Sequence, residues 1–433
     1  MKINNKVNVI YKKMSLNMLC KIMAYIFSML YTTLLLNYLG DEKYGAWVTI
    51  LSVINWLTFF DLGIGNSIRN ILTEYIDKKE YSKARSQIIG GYILLAAVSL
   101  LFWIVGTVLI KIFNFTFFIK TSFDISTALV ISLTAICVTF ALSVSKSVIY
   151  AVRHTEWVGI LELSIQIFNV IGIVFLKIIS IGNINYVALV ICLNSIFLNV
   201  ILTIIIIKKY NFLRFQARDF SVIEIKRSCK LGWKYLVIQI NSLVIFCTDA
   251  ILINNIFGSS QVTPYDIIKK IFNASYMVMF AFVEPIRTEI TILFVNKKYI
   301  EMKQIYKKMT IFLYIYIFLV IVLGVIFKPL SFVWLGKTLN YSLLLLISIA
   351  AYYVIFLWGQ INAILVNAID RVNLELILGT IAAILNIPLS IYLSHFKSFN
   401  TAGVVCATVI LLFISEILMN YDIYKFFKKL IGG

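Results

Sequence analysis

Long apolar runs separated by short polar segments dominate the chain. A membrane-spanning helix needs about 20 mostly apolar residues, and twelve such stretches can be marked. They are 16–38, 44–69, 87–110, 125–149, 157–180, 186–207, 231–256, 264–293, 310–334, 342–368, 373–395 and 401–424. None alternates like a membrane β-strand. The pattern therefore predicts continuous transmembrane α-helices, which satisfy their backbone hydrogen bonds internally in lipid.

Lysine and arginine collect on one side of these spans. With the N-terminus in the cytoplasm, 25 of the 39 basic residues fall on the cytoplasmic side and 7 on the other, counted over the loops and helix ends. Because cytoplasmic loops are enriched in basic residues, this bias predicts that both termini are cytoplasmic. The longest polar stretch predicts an N-terminal six-helix bundle at 1–207, a cytoplasmic linker at 208–230 and a C-terminal bundle at 231–433.

Four landmarks recur in the two halves at nearly one spacing. They pair Leu39-Gly40 with Phe257-Gly258, Tyr44 with Tyr265, Arg69 with Arg287 and Lys78 with Lys297. The spacing is identical for the glycines and the arginines, and it is only slightly longer for the lysines and the tyrosines. This near-constant spacing predicts a duplication. The expected fold is an all-α polytopic membrane protein of about twelve transmembrane helices, in two six-helix repeats around a central cavity.

Composition narrows the possible functions. The chain is 61% hydrophobic and 14% charged, whereas a soluble domain carries about a quarter charged residues. The net charge of +19 does not indicate nucleic-acid binding, because the basic residues separate apolar runs instead of gathering on one face. The six cysteines stand singly and the two histidines stand alone, so we expect no metal, no cofactor and no disulfide.

Two short motifs resemble a known family. Leu39-Gly40-Asp41-Glu42-Lys43-Tyr44-Gly45, followed by Asp61-Leu62-Gly63-Ile64-Gly65, is similar to the first hairpin of the Wzx-type O-antigen flippases. Thr248-Asp249 and the stretch from Gly258 through Val262 to Tyr265 continue the likeness, although Pro264 departs from the family's pattern. The resemblance implies the polysaccharide-transport branch of the MOP exporter superfamily, located in the bacterial cytoplasmic (inner) membrane.

The same resemblance implies a substrate and partners. The substrate would be an undecaprenyl-pyrophosphate-linked oligosaccharide repeat unit for O-antigen, capsule or exopolysaccharide, moved to the outer leaflet by alternating access coupled to an ion gradient. The protein would not be an enzyme. Membrane lipids would surround it, and the polysaccharide polymerase and chain-length machinery are candidate partners.

Charged residues inside apolar spans are costly and usually face a bundle interior or water, so they are the candidate site residues. We assign Arg69, Arg287, Lys269, Lys270 and Lys21 to a cavity that binds pyrophosphate and sugar. Asp61, Asp249 and Glu284 are candidates for ion coupling or for internal salt bridges. Gly63, Gly65 and Pro285 are candidates for hinges or close packing. Arginine suits phosphate because its guanidinium is a planar fork of donors; an ordinary basic helix end is the alternative.

The hydropathy pattern is also compatible with three other classes of membrane protein. A MATE-type multidrug or cation antiporter shares the expected architecture, and two arginines at matching depth in the halves favour an anionic substrate over a cation. An integral-membrane glycosyltransferase or polysaccharide polymerase needs catalytic groups displayed at one surface, and the predicted external loops are short. A MurJ-type lipid II flippase is closer, but that family has fourteen spans where twelve are predicted here.

Overall fold

The computed structural model describes residues 2–59, 64–112, 120–210, 241, 243–245, 247–283, 286–369, 372–396 and 398–431. The elements formed by these residues are all helices. The chain divides into two compact units, Met1–Ile240 and Asn241–Gly433. The predicted linker 208–230 lies mostly outside the described residues.

Seven helices are described in the first unit. They are α1 (Lys2–Phe59), α2 (Ile64–Asp77), α3 (Tyr81–Ile112), α4 (Ser126–Ala141), α5 (Val144–Ala151), α6 (Glu156–Ile179) and α7 (Ile184–Lys209). Helix α1 packs along α6, and α4 packs against α3 and α7. A core cluster from α2, α3, α5, α6 and α7 fills one end of this unit.

Seven further helices are described in the second unit. They are α8 (Asp249–Phe257), α9 (Ser259–Val283), α10 (Ile286–Val295), α11 (Tyr299–Leu335), α12 (Leu343–Ala368), α13 (Val372–Ser394) and α14 (Thr401–Ile431). Helix α14 packs against α12 and α13, and α9 packs against α8 and α12.

Nine helices among the described residues are long and apolar enough to cross a membrane. They are Ser15–Ile54, Tyr81–Ile112, Ser126–Ala151, Glu156–Ile179, Ile184–Lys209, Tyr299–Leu335, Leu343–Ala368, Asn373–Ser394 and Thr401–Leu430. The first contains the span predicted at 16–38 and the beginning of the span predicted at 44–69, and the other eight match one predicted span each. The span predicted at 231–256 is described only from residue 241, where a shorter apolar helix, Leu243–Phe257, lies. The protein is therefore a multi-pass α-helical membrane protein.

Among the described residues, one predicted span is not a single continuous helix. The span 125–149 breaks at Leu142 and Ser143, between α4 and α5. The described residues of the span 44–69 belong to α1 and α2, and those of the span 264–293 belong to α9 and α10. Apolarity alone does not reveal the break after Ala141, because the residues on both sides of it are equally compatible with lipid.

The duplication is visible in the backbone. Gly40 interrupts α1 at φ 76° and ψ 172°, and Gly258 separates α8 from α9 at φ 91° and ψ 164°. Only glycine adopts this region readily. Lys79 and Lys297 close α2 and α10 in the left-handed conformation, at φ 60° and φ 58°. Gly182 and Asn400 form another positive-φ pair, and all three pairs have the same separation along the sequence, which we call the repeat spacing.

Hydrogen bonds recur at the repeat spacing. The Glu80 N–H donates to the Tyr75 carbonyl at 2.8 Å, and the Lys298 N–H donates to the Leu293 carbonyl at 2.9 Å. This bond closes a helix through a left-handed residue. The repeat spacing pairs Lys297 with Lys79 rather than Lys78. It also pairs Tyr265 with Trp47 rather than Tyr44. The predicted pairing of the lysines and that of the tyrosines are both corrected in this way.

Candidate functional site

Helix α2 presents Arg69 on its exposed face. The buried face of α2 carries apolar residues at helical spacing, namely Ile68, Ile71, Leu72 and Tyr75, which pack into the core cluster of the first unit. Because adjacent helical residues diverge by about 100°, Arg69 points away from this core and is exposed. The apolar face of α2 therefore anchors this helix in the core and leaves Arg69 on the opposite, exposed face.

The guanidinium of Arg69 lies over an aromatic ring instead of a carboxylate. Its Cζ is 4.6 Å from the centre of the Tyr150 ring on α5. Among the described residues no carboxylate forms an ion pair with it. Stacking on one face leaves the N–H groups around the edge of a guanidinium free to bind an anion. The contact with Tyr150 therefore covers one face of the Arg69 guanidinium and not its edge.

Arg287 has a different environment at the equivalent position. It lies on α10 and is half-buried, within electrostatic range of Glu375 on α13. The local backbone is alike in both repeats. The Thr73 hydroxyl donates to the Arg69 carbonyl at 2.8 Å, and the Thr291 hydroxyl donates to the Arg287 carbonyl at 2.9 Å. The two arginines match in position, but Arg287 is within electrostatic range of Glu375, whereas Arg69 stacks on Tyr150.

A buried polar network surrounds Asp249 in the second unit. Asp249 begins α8 and is 4% exposed. The Tyr265 hydroxyl donates to its Oδ2 at 3.3 Å, and the Thr408 hydroxyl donates to its Oδ1 at 3.4 Å. Asn386 on α13 donates to the Thr408 Oγ1 at 2.8 Å. Four helices therefore contribute polar groups around one buried carboxylate.

The two adjacent lysines of α9 have different partners. Lys269 Nζ donates to the Tyr265 hydroxyl at 3.0 Å and is within electrostatic range of Asp249. Lys270 forms an ion pair with Asp266 at 2.7 Å, one turn earlier on the same helix. The structure thus brings Lys269 and Asp249 together through a tyrosine, and it directs Lys270 elsewhere.

A second buried carboxylate lies in the same unit. Glu416 on α14 is 6% exposed and accepts a hydrogen bond from Asn362 Nδ2 at 2.8 Å. The Tyr306 hydroxyl donates to Asn362 Oδ1 at 2.6 Å, and Asn420 Nδ2 lies 3.4 Å from that hydroxyl. Glu375 is within electrostatic range of Glu416. We did not select Glu416 or Asn362 from the sequence, although amides inside apolar runs were a visible signal.

The remaining predicted residues have limited descriptions. Lys21 is half-buried on α1. The Gly65 carbonyl accepts a hydrogen bond from the Ser147 hydroxyl at 3.1 Å, which joins the start of α2 to α5. The other four predicted residues, Asp61, Gly63, Glu284 and Pro285, lie outside the described residues. Among the described residues, no group of three or more histidine, cysteine or acidic side chains is arranged for a metal ion.

Sequence comparisons connect this arrangement to known proteins. A family model described as "Polysaccharide biosynthesis protein" matches residues 10–286. A Salmonella typhi protein with the name "Putative O-antigen transporter" is 22% identical over 369 residues, which cover 78% of this chain and 79% of that protein.

Structural comparisons show the fold. An inward-facing multidrug resistance transporter of the MATE family, in the MOP superfamily, has a TM-score of 0.75 at 12% identity and covers 97% of this chain and 98% of that chain. A MOP superfamily transporter from Pyrococcus furiosus, described as having a binding pocket of reverse polarity, has a TM-score of 0.66 at 13% identity and covers 97% of this chain and 96% of that chain. The resemblance to the Wzx-type flippases is confirmed: the chain belongs to the polysaccharide biosynthesis protein family and is a multi-pass membrane transporter with the two-repeat MOP fold.

Proposed function

We propose that this protein moves undecaprenyl-pyrophosphate-linked oligosaccharide repeat units from the cytoplasmic to the outer leaflet of the bacterial inner membrane. The transport serves O-antigen, capsule or exopolysaccharide synthesis and proceeds by alternating access coupled to an ion gradient. The pyrophosphate and sugars need a polar path, whereas the prenyl tail can stay in lipid. Both termini lie in the cytoplasm in this proposal.

The observation that carries the proposal is the exposed guanidinium of Arg69. A pyrophosphate offers several anionic oxygens, and arginine binds such groups with paired, charge-assisted hydrogen bonds. Tyr150 orients the guanidinium by stacking on one face, so little side-chain freedom is lost when phosphate binds. Each such contact contributes about 1.5–3 kcal/mol, which corresponds to about 10- to 150-fold in binding.

Arg287 makes the weaker of the two proposed contacts with the pyrophosphate. Because Glu375 lies near it, phosphate binding at Arg287 has to compete with a carboxylate. Glu162 is within electrostatic range of Tyr150, the ring on which Arg69 stacks, but among the described residues no acid forms an ion pair with Arg69. We therefore assign the first capture of the pyrophosphate to Arg69 and a later, weaker contact to Arg287. Lys21, Lys269 and Lys270 keep their assignment to the cavity that binds pyrophosphate and sugar.

The main rival is a MATE-type cation antiporter, which the two buried acids of the second unit favour. A drug cation needs an unneutralised acid, and Asp249 has Lys269 within electrostatic range. A resistance assay separates the functions. Expression in a drug-sensitive, efflux-deficient strain should leave the tolerated concentration of cationic dyes unchanged. A several-fold rise in that concentration would support the antiporter instead.

Complementation of a strain that lacks its own repeat-unit flippase tests the proposal directly. Arg69→Ala should reduce surface polysaccharide by at least about tenfold. Arg69→Lys should restore only part of it, because lysine keeps the charge but loses the planar fork.

Arg153→Ala is the matched control. Arg153 is an exposed arginine of the same unit, and it already forms an ion pair with Asp77 at 3.1 Å. An exposed pair of this kind contributes about 0–1 kcal/mol, so this variant should transport normally. Membrane levels of every variant are measured by immunoblot. Normal levels of Arg69→Ala together with full surface polysaccharide would refute the assignment of Arg69.

A further inference from the structure

Helices α11 and α14 lie side by side at one end of the second unit. The centre of the Tyr299 ring, at the start of α11, is 6.3 Å from the centre of the Phe426 ring, near the end of α14. The centres of the Tyr306 and Phe427 rings are 6.2 Å apart. The first turns of α11 and the last turns of α14 therefore lie at the same level.

A stripe of exposed apolar and aromatic residues runs along one face of α14. Its members recur every three or four residues and are Ile410, Ile414, Ile417, Tyr421 and Tyr424. Residues at this spacing share one face of a helix. Lys425 and Lys428 follow at the same spacing and are also exposed. Because an apolar stripe of this length is stable against lipid and not against water, the two lysines lie at the edge of a lipid-facing surface.

Helix α11 has a matching stripe. Ile311, Tyr314 and Phe318 are exposed and share one face of this helix. Lys307 lies one turn before Ile311 on the same face, and Lys303 lies one turn before Lys307; both lysines are exposed. Two neighbouring helices therefore each have a lipid-facing stripe that ends in two lysines.

The four lysines lie near the depth of the lipid headgroups. The predicted apolar runs begin at residue 310 in α11 and end at residue 424 in α14. At a rise of about 1.5 Å per residue, Lys307, Lys425 and Lys428 lie within about 6 Å of these runs along the helix axes, and Lys303 lies one turn further out. The headgroup layer is about 5–8 Å thick on each side of a bilayer. The Lys425 Nζ also lies 4.7 Å from the centre of the Tyr421 ring, and tyrosine is typical of this layer.

The charges of these lysines are not neutralised within the described part of the second unit. None of the four forms an ion pair with a described residue, and the acid in the first turn of α11, Glu301, pairs with Lys298 at 2.9 Å. Orientation in the membrane requires basic residues near the end of a span, whichever way they face. Orientation alone therefore does not account for four lysines on lipid-facing stripes.

The cluster is not a general feature of the repeat. At the repeat spacing, three of the four positions are uncharged in the first unit. The pairs are Lys303 with Arg85, Lys307 with Ile89, Lys425 with Ile207 and Lys428 with Tyr210. The same helices thus form in the first unit without this cluster, which indicates a ligand of the second unit rather than a requirement of the fold.

We propose that Lys303, Lys307, Lys425 and Lys428 form a binding site for the phosphate headgroups of anionic phospholipids. In the orientation that we propose, these lipids belong to the cytoplasmic leaflet. Each lysine close to an anionic membrane surface contributes about fivefold to binding. The acyl chains of the bound lipid pack along the exposed stripes, and its phosphate accepts hydrogen bonds from the ammonium groups. The site does not depend on which substrate the protein moves.

Electron spin resonance of spin-labelled lipids tests the site in the purified full-length protein, reconstituted in phosphatidylcholine vesicles. The measured quantity is the association constant of labelled phosphatidylglycerol divided by that of labelled phosphatidylcholine. In the wild type this ratio should be about five or more. About 1 M salt should bring it close to one, because the screening length is then about 3 Å.

Charge removal and charge retention at the four positions separate the site from a folding defect. The combined variant Lys303→Gln, Lys307→Gln, Lys425→Gln and Lys428→Gln should have a ratio close to one. Arginine at the same four positions should keep the wild-type ratio, because it keeps the charge and the donors. A wild type without a preference, or a glutamine variant that keeps it, would overturn the proposal.

Lys78→Gln with Lys83→Gln is the matched control for Lys425→Gln with Lys428→Gln, because each double variant removes two positive charges. Lys78 and Lys83 are exposed lysines of the first unit that already form ion pairs, at 2.8 and 2.9 Å. The control should keep the wild-type ratio, whereas the α14 variant should lower it by about twofold or more. An equal fall in both would show that net charge, not this site, sets the preference. The vesicles contain no oligosaccharide, so a failure of the proposed function leaves the result unchanged.

Discussion

Gly359 on α12 leaves little space for the carboxyl group of Glu416 on α14. A Cβ at position 359 would lie 2.7 Å from Glu416 Oε1 and 3.1 Å from its Cδ. Both distances are shorter than an ordinary contact, so Gly359→Ala has to move the carboxyl group. That group is buried and accepts the 2.8 Å hydrogen bond from Asn362. The substitution should therefore break this hydrogen bond although neither Glu416 nor Asn362 is itself mutated.

The expected size of the effect follows from two opposing contributions. A hydrogen bond to a charged group contributes about 1.5–3 kcal/mol. Alanine in place of glycine inside a helix stabilises by up to about 1 kcal/mol. The net result for Gly359→Ala is a loss of about 0.5–3 kcal/mol in the free energy of unfolding. Gly324→Ala on α11 is the control, because nothing lies within 4 Å of a Cβ there; it should be neutral or stabilising.

Thermal unfolding of the purified protein in detergent measures both variants, and a double-mutant cycle isolates the cause. In a Glu416→Ala background the clash is absent, so Gly359→Ala should become neutral or stabilising. A coupling of about 0.5–3 kcal/mol is typical of residues in contact. If Gly359→Ala destabilises both backgrounds equally, the displaced carboxyl group is not the cause and this reasoning is wrong.

Two further predictions follow from the fold. In a cysteine-free background, cysteines at Asn340 and Ser260 should react with an impermeant thiol reagent from outside the cell, and one at Lys298 should not. Labelling at position 298 in intact cells would show that the proposed orientation is wrong. Lys297→Gly should raise the free energy of unfolding by about 0.5–1 kcal/mol, because a left-handed residue other than glycine is strained. Lys303→Gly, inside α11, should lower it by about 1 kcal/mol, and equal effects would contradict the role of backbone strain.

The helices and the duplication could be predicted from the sequence because each of their signals lies in a short stretch of residues. Apolar runs reveal spans, and Gly40 and Gly258 mark turns by their chemistry. Adjacent helical residues diverge by about 100°, and Lys269 and Lys270 accordingly have different partners. The break after Ala141 was missed because a helix interruption inside lipid need not change hydropathy.

The site was harder to predict because its contacts join distant segments. Thr408 reaches Asp249 across 159 residues, and a threonine in an apolar run is common and signals little alone. Phosphate capture was assigned equally to both arginines, because their positions match in the sequence. Their environments differ through Tyr150 and Glu375, which come from other helices. Such asymmetry appears only after the helices pack.

The left-handed helix ends at Lys79, Arg153 and Lys297 also bear on how the protein enters the membrane. Each places a permanent positive charge at the residue where a helix stops. Insertion machinery retains basic residues on the cytoplasmic side when they lie close to a span. A glycine would form each turn with less strain, yet it would remove the retention signal from the helix boundary. In the orientation we propose, the strained turns thus keep orientation information that a more stable turn would lose during biogenesis.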